Sequence, residues 1–332
     1  MKALIPVAGA GVNLRPHTYT QPKPLIPVAG KPIISYIIDQ LVESGIHEFI
    51  FVIGYLGDKI RTFLETAYPE ISKSYVVQHK RRGLGHAILM ARDELLKTEE
   101  LIILLGDTIL DLNMDQFLKI KSSALAIQKV ADPRQFGVVE TNSKGVAVRV
   151  VEKPSIPTSN NAIVGLYKIK EIDLLIQSLE EVDQIANEKE TDVHLTDALM
   201  KMIQKKVVFH TMEVKHWYDC GKKEILLQSN RELLKERVSD VGTQFVYEDT
   251  IIIPPVVHGE SCSFKNAIIG PNVALGQNVK IENSLVSDSI LGDYVEISGT
   301  VLSASVIGND AVIRGLSQSL NIGDNNEIDF SR

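Results

Sequence analysis

The sequence predicts an α/β protein in two parts: a Rossmann-like, mostly parallel sheet domain over residues 1–240, then a left-handed parallel β-helix over 241–332. Three observations lead there. Short apolar runs alternate with amphipathic stretches through the first two-thirds, the βαβα order of a parallel sheet covered by helices. From about Val241 helical periodicity stops and aliphatic residues recur at every sixth position. The first apolar run, Ala3–Ala8, breaks into Gly9-Ala10-Gly11, where missing side chains let backbone N–H groups approach an anion.

Taken in order, the runs Ala3–Ala8, Glu48–Ile53, Ser74–Gln78, Leu101–Leu105 and Ala124–Val130 are expected as strands. Helices are expected over Pro32–Ser44, Lys59–Ala67, Gly85–Lys97 and Met114–Lys121. Less regular strands at 136–140, 145–152 and 162–169 suit an acceptor-binding insertion. Helices near Ile172–Ser178, Leu195–Gln204 and Lys222–Glu236 close the domain. Pro16, Pro22, Pro24, Pro27 and Pro32 disfavour a helix after the glycines and predict an extended, wrapping loop. In the tail, Val273, Val279, Leu285, Leu291 and Ile297 form one six-spaced row, Ile269, Leu275 and Ile281 a second, and Val295, Val301, Ile307 and Ile313 a third. A β-sandwich would alternate every second residue, so this spacing favours short strands turning around a triangular prism. So short an array is expected to pack against the first domain or another copy, giving a homo-oligomer.

Composition narrows the function. A chain of 332 residues with 44% hydrophobic content builds a sizeable core, and its length suggests two domains. The net charge of −7, from 35 basic and 42 acidic residues, argues against nucleic-acid binding. Cys220 and Cys262 make neither a disulfide framework nor a zinc pattern. No apolar run approaches membrane-spanning length and no cleavable leader stands out, so a cytoplasmic location without membrane association is expected.

The chemistry concentrates at the carboxyl ends of the first domain's strands, where open α/β sheets hold ligands. Ala8, Gly9 and Gly11 begin a cradle enriched in Arg15, Lys23 and Lys31. Asp107 ends the apolar run Leu101–Leu105-Gly-Asp and faces the same crevice, where a carboxylate and phosphate oxygens suit Mg²⁺. Gln78 ends a strand just before Arg81-Arg-Gly83-Leu-Gly-His86-Ala. Its amide carries donor and acceptor together.

Gly11-Val-Asn13-Leu-Arg15-Pro16, followed by Gln21-Pro-Lys23-Pro-Leu25, resembles the opening signature of the sugar-1-phosphate nucleotidylyltransferases. Asn13 stands where that family carries arginine. The resemblance continues through Asp132-Pro-Arg-Gln-Phe-Gly137, Val151-Glu152-Lys153-Pro154, Asn161-Ala-Ile-Val-Gly165, Asp192-Val-His-Leu-Thr-Asp197 and Trp217-Tyr-Asp219-Cys-Gly221. It implies a nucleotide site at Ala8, Gly9, Gly11, Asn13, Gln78, Gly83 and Asp107, and a sugar site at Gly137, Glu152, Lys153, Gly165 and Asp192. Asp192 replaces the usual glutamate. Lys23, Arg15 and Lys153 become the candidate catalytic cations, and Asp107 with Asp219 the Mg²⁺ ligands. The implied reaction joins a pyrimidine nucleoside triphosphate, UTP or dTTP, to a sugar 1-phosphate such as glucose 1-phosphate, releasing pyrophosphate.

Three other classes compare less well. A dinucleotide oxidoreductase wants a third glycine where Leu14 stands and a helix where Pro16 blocks one. A β-helix acyltransferase wants a histidine projecting from the coils, and that region offers only His258 at its edge. A silent, regulatory binder of nucleotide sugars is suggested by Val12 and Asn13. Retention of Lys23, Asp107, Lys153 and Asp219 favours an active enzyme.

Overall fold

The computed structural model describes residues 1–237, 249–315 and 320–330. The expected boundary at 240/241 lies outside the described residues. The chain divides into two compact units, residues 1–9 with 36–217 and residues 10–35 with 218–332.

The first unit is built on a nine-stranded sheet: β1 (Lys2–Val7), β2 (Glu48–Ile53), β3 (Ser72–Val77), β4 (Leu101–Leu104), β5 (Ser123–Lys129), β6 (Gly137–Thr141), β7 (Ala147–Glu152), β8 (Asn161–Ile169) and β9 (Phe209–Glu213). The order β4-β1-β2-β3 is parallel throughout, with Leu4 opposite both Ile50 and Ile103. Strand β8 runs antiparallel to β4, β5 and β6, so antiparallel strands extend the parallel sheet on one side. Helices α1 (Ile33–Glu43), α2 (Gly57–Ala67), α3 (Gly83–Met90), α4 (Ile172–Lys189) and α5 (Leu195–Gln204) start in or near the predicted stretches, and α4 runs on to Lys189, past the end at Ser178 that the sequence predicts. The stretch predicted as one helix over Gly85–Lys97 is broken at Ala91, after which a short helix spans Arg92–Leu95. Leu4, Ile50, Ile103, Leu125, Tyr167 and Leu179 lie in one buried cluster, and Ala3, Ile5 and Phe51, which point the other way, are buried too, so both faces of the central strands are covered, as a parallel sheet requires.

In the second unit, residues 10–35 form three single 3₁₀ turns, Val12–Leu14, His17–Tyr19 and Lys23–Leu25, rather than the extended loop expected from the prolines. Pro16 and Pro22 sit at the starts of turns, where a missing N–H costs no internal hydrogen bond. A helix α6 (Lys223–Arg237) precedes the tail.

The tail is the left-handed parallel β-helix. Its short strands stack into three parallel sheets, one running through Ile251–Ile252, Ile268–Ile269, Leu285–Ser287 and Val301–Ser303. Register gives the coil length: Phe264 pairs Ile281 seventeen residues on, Ile313 pairs Ile328 fifteen residues on, and in the middle Ile281 pairs Ile297, which pairs Ile313, sixteen residues per coil instead of eighteen. Two of the three corners in such a coil are therefore one residue short. The buried row runs Ile269, Leu275, Ile281, Val286, Leu291, Ile297, Leu302, Ile307 and Ile313. Leu285 and Val301, placed inside by strict six-residue spacing, instead point outward, 36% and 51% exposed.

Hydroxyls mark the short corners. Two residues before each inward aliphatic lies a small buried side chain, and at the short corners it is Ser284, Ser289, Thr300 or Ser305. Ser284 Oγ donates to the Glu282 carbonyl at 2.6 Å and accepts Thr300 N–H of the next coil at 3.1 Å. Ser289 repeats this with the Ser287 carbonyl and Ser305 N–H. The hydroxyl thus pairs a buried N–H with a side chain inside the coil stack. Most corners among the described residues turn on a residue with positive φ, among them Asn266, Asn272, Asn278, Asn283, Asp288, Gly299 and Asp310, with Tyr294 and Ala304 as departures in side-chain type. An L-residue without a turn-forming side chain is strained in that conformation. Ala304→Gly is therefore expected to stabilise the protein by about 1 kcal/mol, read as a raised urea midpoint.

Candidate active site

In the second unit the cradle is built around Gly11, whose φ of 60° is left-handed. A Cβ there would lie 2.9 Å from Thr18 Cγ2 and 3.0 Å from Lys23 Cβ, so only glycine lets these turns close up. Its carbonyl accepts from Leu14 N at 2.9 Å and from Thr18 Oγ1 at 2.8 Å. Lys23 leaves this knot with its side chain only 12% exposed, and its Nζ lies 3.7 Å from Asp219 Oδ1. Gly221 leaves room for that pair: a Cβ there would meet Asp219 Oδ1 at 3.1 Å and Lys23 Nζ at 3.3 Å. Asn13 and Arg15 are both exposed, and the Arg15 guanidinium stacks 4.9 Å from the centre of the Tyr19 ring.

In the first unit, Ala8 is buried at the carboxyl end of β1 and Gly9 is exposed. Asp107 follows β4, half-buried, with Thr108 Oγ1 donating to its carboxylate at 3.4 Å.

Gln78 and Gly83 come together. The buried Gln78 amide nitrogen donates to the Gly83 carbonyl at 3.3 Å and to His86 Nδ1 at 3.0 Å. Burial, reinforced by the Arg82 charge, holds the His86 pKa below its ordinary value against the pull of Asp183. His86 is then neutral at pH 7 and offers Nδ1 as an acceptor. With both amide hydrogens used inside the loop, Gln78 has its carbonyl oxygen left to offer, rather than the donor and acceptor together that the sequence suggests. The backbone of Val193 clamps the loop: its carbonyl accepts Gly85 N–H, and its N–H donates to the Arg82 carbonyl, both at 2.8 Å. Gly83 has φ +89°, and a Cβ there would lie 2.7 Å from the Val193 carbonyl and 3.2 Å from Asp192 Cβ. Asp192, read from sequence as a sugar contact, thus lies beside the Gly83 loop.

Glu152 and Gly137 form the second cluster. Thr196 Oγ1 donates to Glu152 Oε2 at 2.9 Å, and a Cβ on Gly137 would lie 2.7 Å from the Thr196 methyl and 3.4 Å from that carboxylate oxygen. Lys153, exposed, takes φ +39° and donates its backbone N–H to the Phe136 carbonyl, with Nζ 3.9 Å from Glu152 Oε1. Asp132 shapes the turn before Phe136: the Arg134 guanidinium and N–H hydrogen-bond its carboxylate and hold its pKa at about 2. Gly165 lies in β8, where a Cβ would strike Leu105 at 2.7 Å. Sequence reading missed Thr196, Val193 and Trp217. Trp217 packs edge-on to Phe136 at 4.8 Å, and its buried Nε1 has no partner among the described residues. The run Leu195-Thr196-Asp197 at the start of α5 was the one available signal for Thr196.

Among the described residues no three metal-binding side chains cluster. Single carboxylates such as Asp107 and Asp219 suit magnesium, which takes one or two carboxylates and fills its shell with water and phosphate oxygens. No helix among the described residues is long and apolar enough to cross a membrane.

By fold, the first unit belongs to the α/β class that holds ligands beyond the carboxyl ends of parallel strands. The chain belongs to the nucleotidyl transferase family, whose model matches residues 2–236. It is 32% identical over 275 residues to the bifunctional protein GlmU of Methanococcus maripaludis, covering 82% of this chain and 62% of that protein. The chain spans about six-tenths of the length of the GlmU proteins it matches. To the glucose-1-phosphate thymidylyltransferase of Streptomyces griseus it is 30% identical over 315 residues, 88% of this chain and 87% of the relative. Among solved structures, a UDP-glucose pyrophosphorylase complexed with UDP-glucose superposes with a TM-score of 0.63 at 28% identity, over 71% of this chain and 99% of that one.

Proposed function

We propose that the protein transfers a nucleotidyl group from UTP or dTTP to a hexose 1-phosphate, with glucose 1-phosphate the first candidate, forming a nucleotide sugar and pyrophosphate. The observation that carries this reading is Lys23: an ammonium largely withdrawn from water, fixed beside Asp219 in a glycine turn. Such a group matches the charge of a triphosphate. A sugar-phosphate oxygen attacks the α-phosphorus in line, the new P–O bond forms, and the α–β P–O bond breaks to release pyrophosphate. Lys23 and the amides near Gly9 and Gly11 neutralise the developing charge, while Lys153 holds the sugar phosphate and Glu152 accepts sugar hydroxyls. Mg²⁺ held by Asp107 and Asp219 would add charge neutralisation when bound. No side-chain nucleophile takes part. The product chemistry is that of nucleotide-sugar supply, and the cytoplasm is the matching compartment.

The Gln78 carbonyl gives a base preference. Uracil and thymine carry N3–H, which donates to it; cytosine presents a lone pair at the same place. UTP or dTTP should exceed CTP in kcat/KM by roughly 10- to 100-fold, the cost of an unmatched buried polar pair. Gln78→Leu should cut most of that ratio. Equal use of CTP and UTP by the unmodified protein would refute this role. A second reading, a nucleotide-sugar binder without turnover, is favoured by Asn13, which brings no charge to the cradle. It predicts tight binding with no pyrophosphate.

A further inference from the structure

The cradle rests on the end of the β-helix. Residues 10–35 belong to the same compact unit as the tail, and three contacts join them to its last described coil. His17 Nε2–H donates to Asn321 Oδ1 at 2.7 Å. Thr20 Oγ1 hydrogen-bonds Asp324 Oδ2. Pro16 packs on Gly323, where a Cβ would lie 3.2 Å from the proline ring.

These contacts continue a ladder that runs along the tail. Asp293 Oδ1 accepts Gln277 N–H, Asn309 Oδ1 accepts Asp293 N–H, and Asp324 Oδ1 accepts Asn309 N–H, at 2.7–2.9 Å. At the last step the second carboxylate oxygen of Asp324 turns to the cradle. Between His17 and Thr20 lies Thr18, buried, whose hydroxyl donates to the Gly11 carbonyl and whose methyl fills the space beside Gly11. One face of a single turn therefore meets the coil and the other meets Gly11, with Lys23 Cβ alongside. A run of isolated 3₁₀ turns has few hydrogen bonds of its own to hold this geometry.

We propose that Asn321 and Asp324 are positioning residues for the triphosphate cradle, so that the β-helix sets nucleotide affinity as well as any assembly. This rests on the reading of Gly11 and Lys23 as the triphosphate site. The test uses the full-length protein with Mg²⁺, UTP and glucose 1-phosphate. Asn321→Ala and Thr20→Val should each raise the KM for UTP about tenfold, leave the KM for glucose 1-phosphate within twofold, and shift thermal unfolding little. Thr20→Ser and Asp324→Asn, which keep the polar links, should retain the wild-type KM for UTP. An unchanged KM for UTP in Asn321→Ala and Thr20→Val, or equal rises for both substrates, would overturn the proposal while leaving the enzymatic reading intact. A wild-type protein that neither turns over nor binds UTP overturns that reading itself.

Discussion

Val286→Asp should destabilise the second unit by roughly 3–5 kcal/mol, because it buries a charge with no partner. Its neighbour Leu285→Asp should cost less than about 1 kcal/mol. Strict six-residue spacing predicts the reverse order. Val286 is fully buried in the coil interior, among Ile269, Ile281 and Leu302, and Leu285 is 36% exposed on the outer face. Urea unfolding of the two variants decides between the phases. A larger loss from Leu285→Asp would mean that the sixteen-residue coil is misassigned.

The second large effect is expected at Lys23. Lys23→Met should reduce kcat/KM by about 10²–10³, the usual cost of removing one preorganised charge-stabilising group. Lys23→Arg should rescue little, since a planar fork cannot replace a compact ammonium in the gap beside Asp219 and Gly221. Circular dichroism and the thermal midpoint should change little in both. Near-normal turnover in Lys23→Met would place the triphosphate elsewhere.

The two parts of the fold were legible in the sequence for different reasons. In the first unit the central strands are almost wholly buried, so Leu101–Leu104 and Glu48–Ile53 read as nearly unbroken apolar runs. In the tail the aliphatic rhythm was visible but its phase was not. Five-residue corners set adjacent aliphatics such as Leu285 and Val286 in competition, and side-chain type does not say which points inward. The left-handed corner positions carry that information: Asn278, Asn283, Asp288 and Gly299 each stand three residues before an inner aliphatic. The three 3₁₀ turns were hidden because proline excludes a long helix without excluding a single turn.

The candidate site shows the same contrast. Gln78, Glu152, Lys23 and Asp219 stood out as motif members with evident chemistry. Val193 did not, since it acts through its backbone, and any residue supplies an N–H and a carbonyl. The orientation of the Gln78 amide depends on His86 and the Gly83 carbonyl, which only folding brings to it.

The most direct test of the central claim is pyrophosphate release from the purified protein with Mg²⁺, a panel of nucleoside triphosphates and a panel of sugar 1-phosphates. Release that requires both substrates, runs fastest with UTP or dTTP and a hexose 1-phosphate, and leaves no nucleotide attached to the protein is the predicted result. No release with any pair, release independent of sugar phosphate, or a trapped nucleotidyl-protein would contradict it.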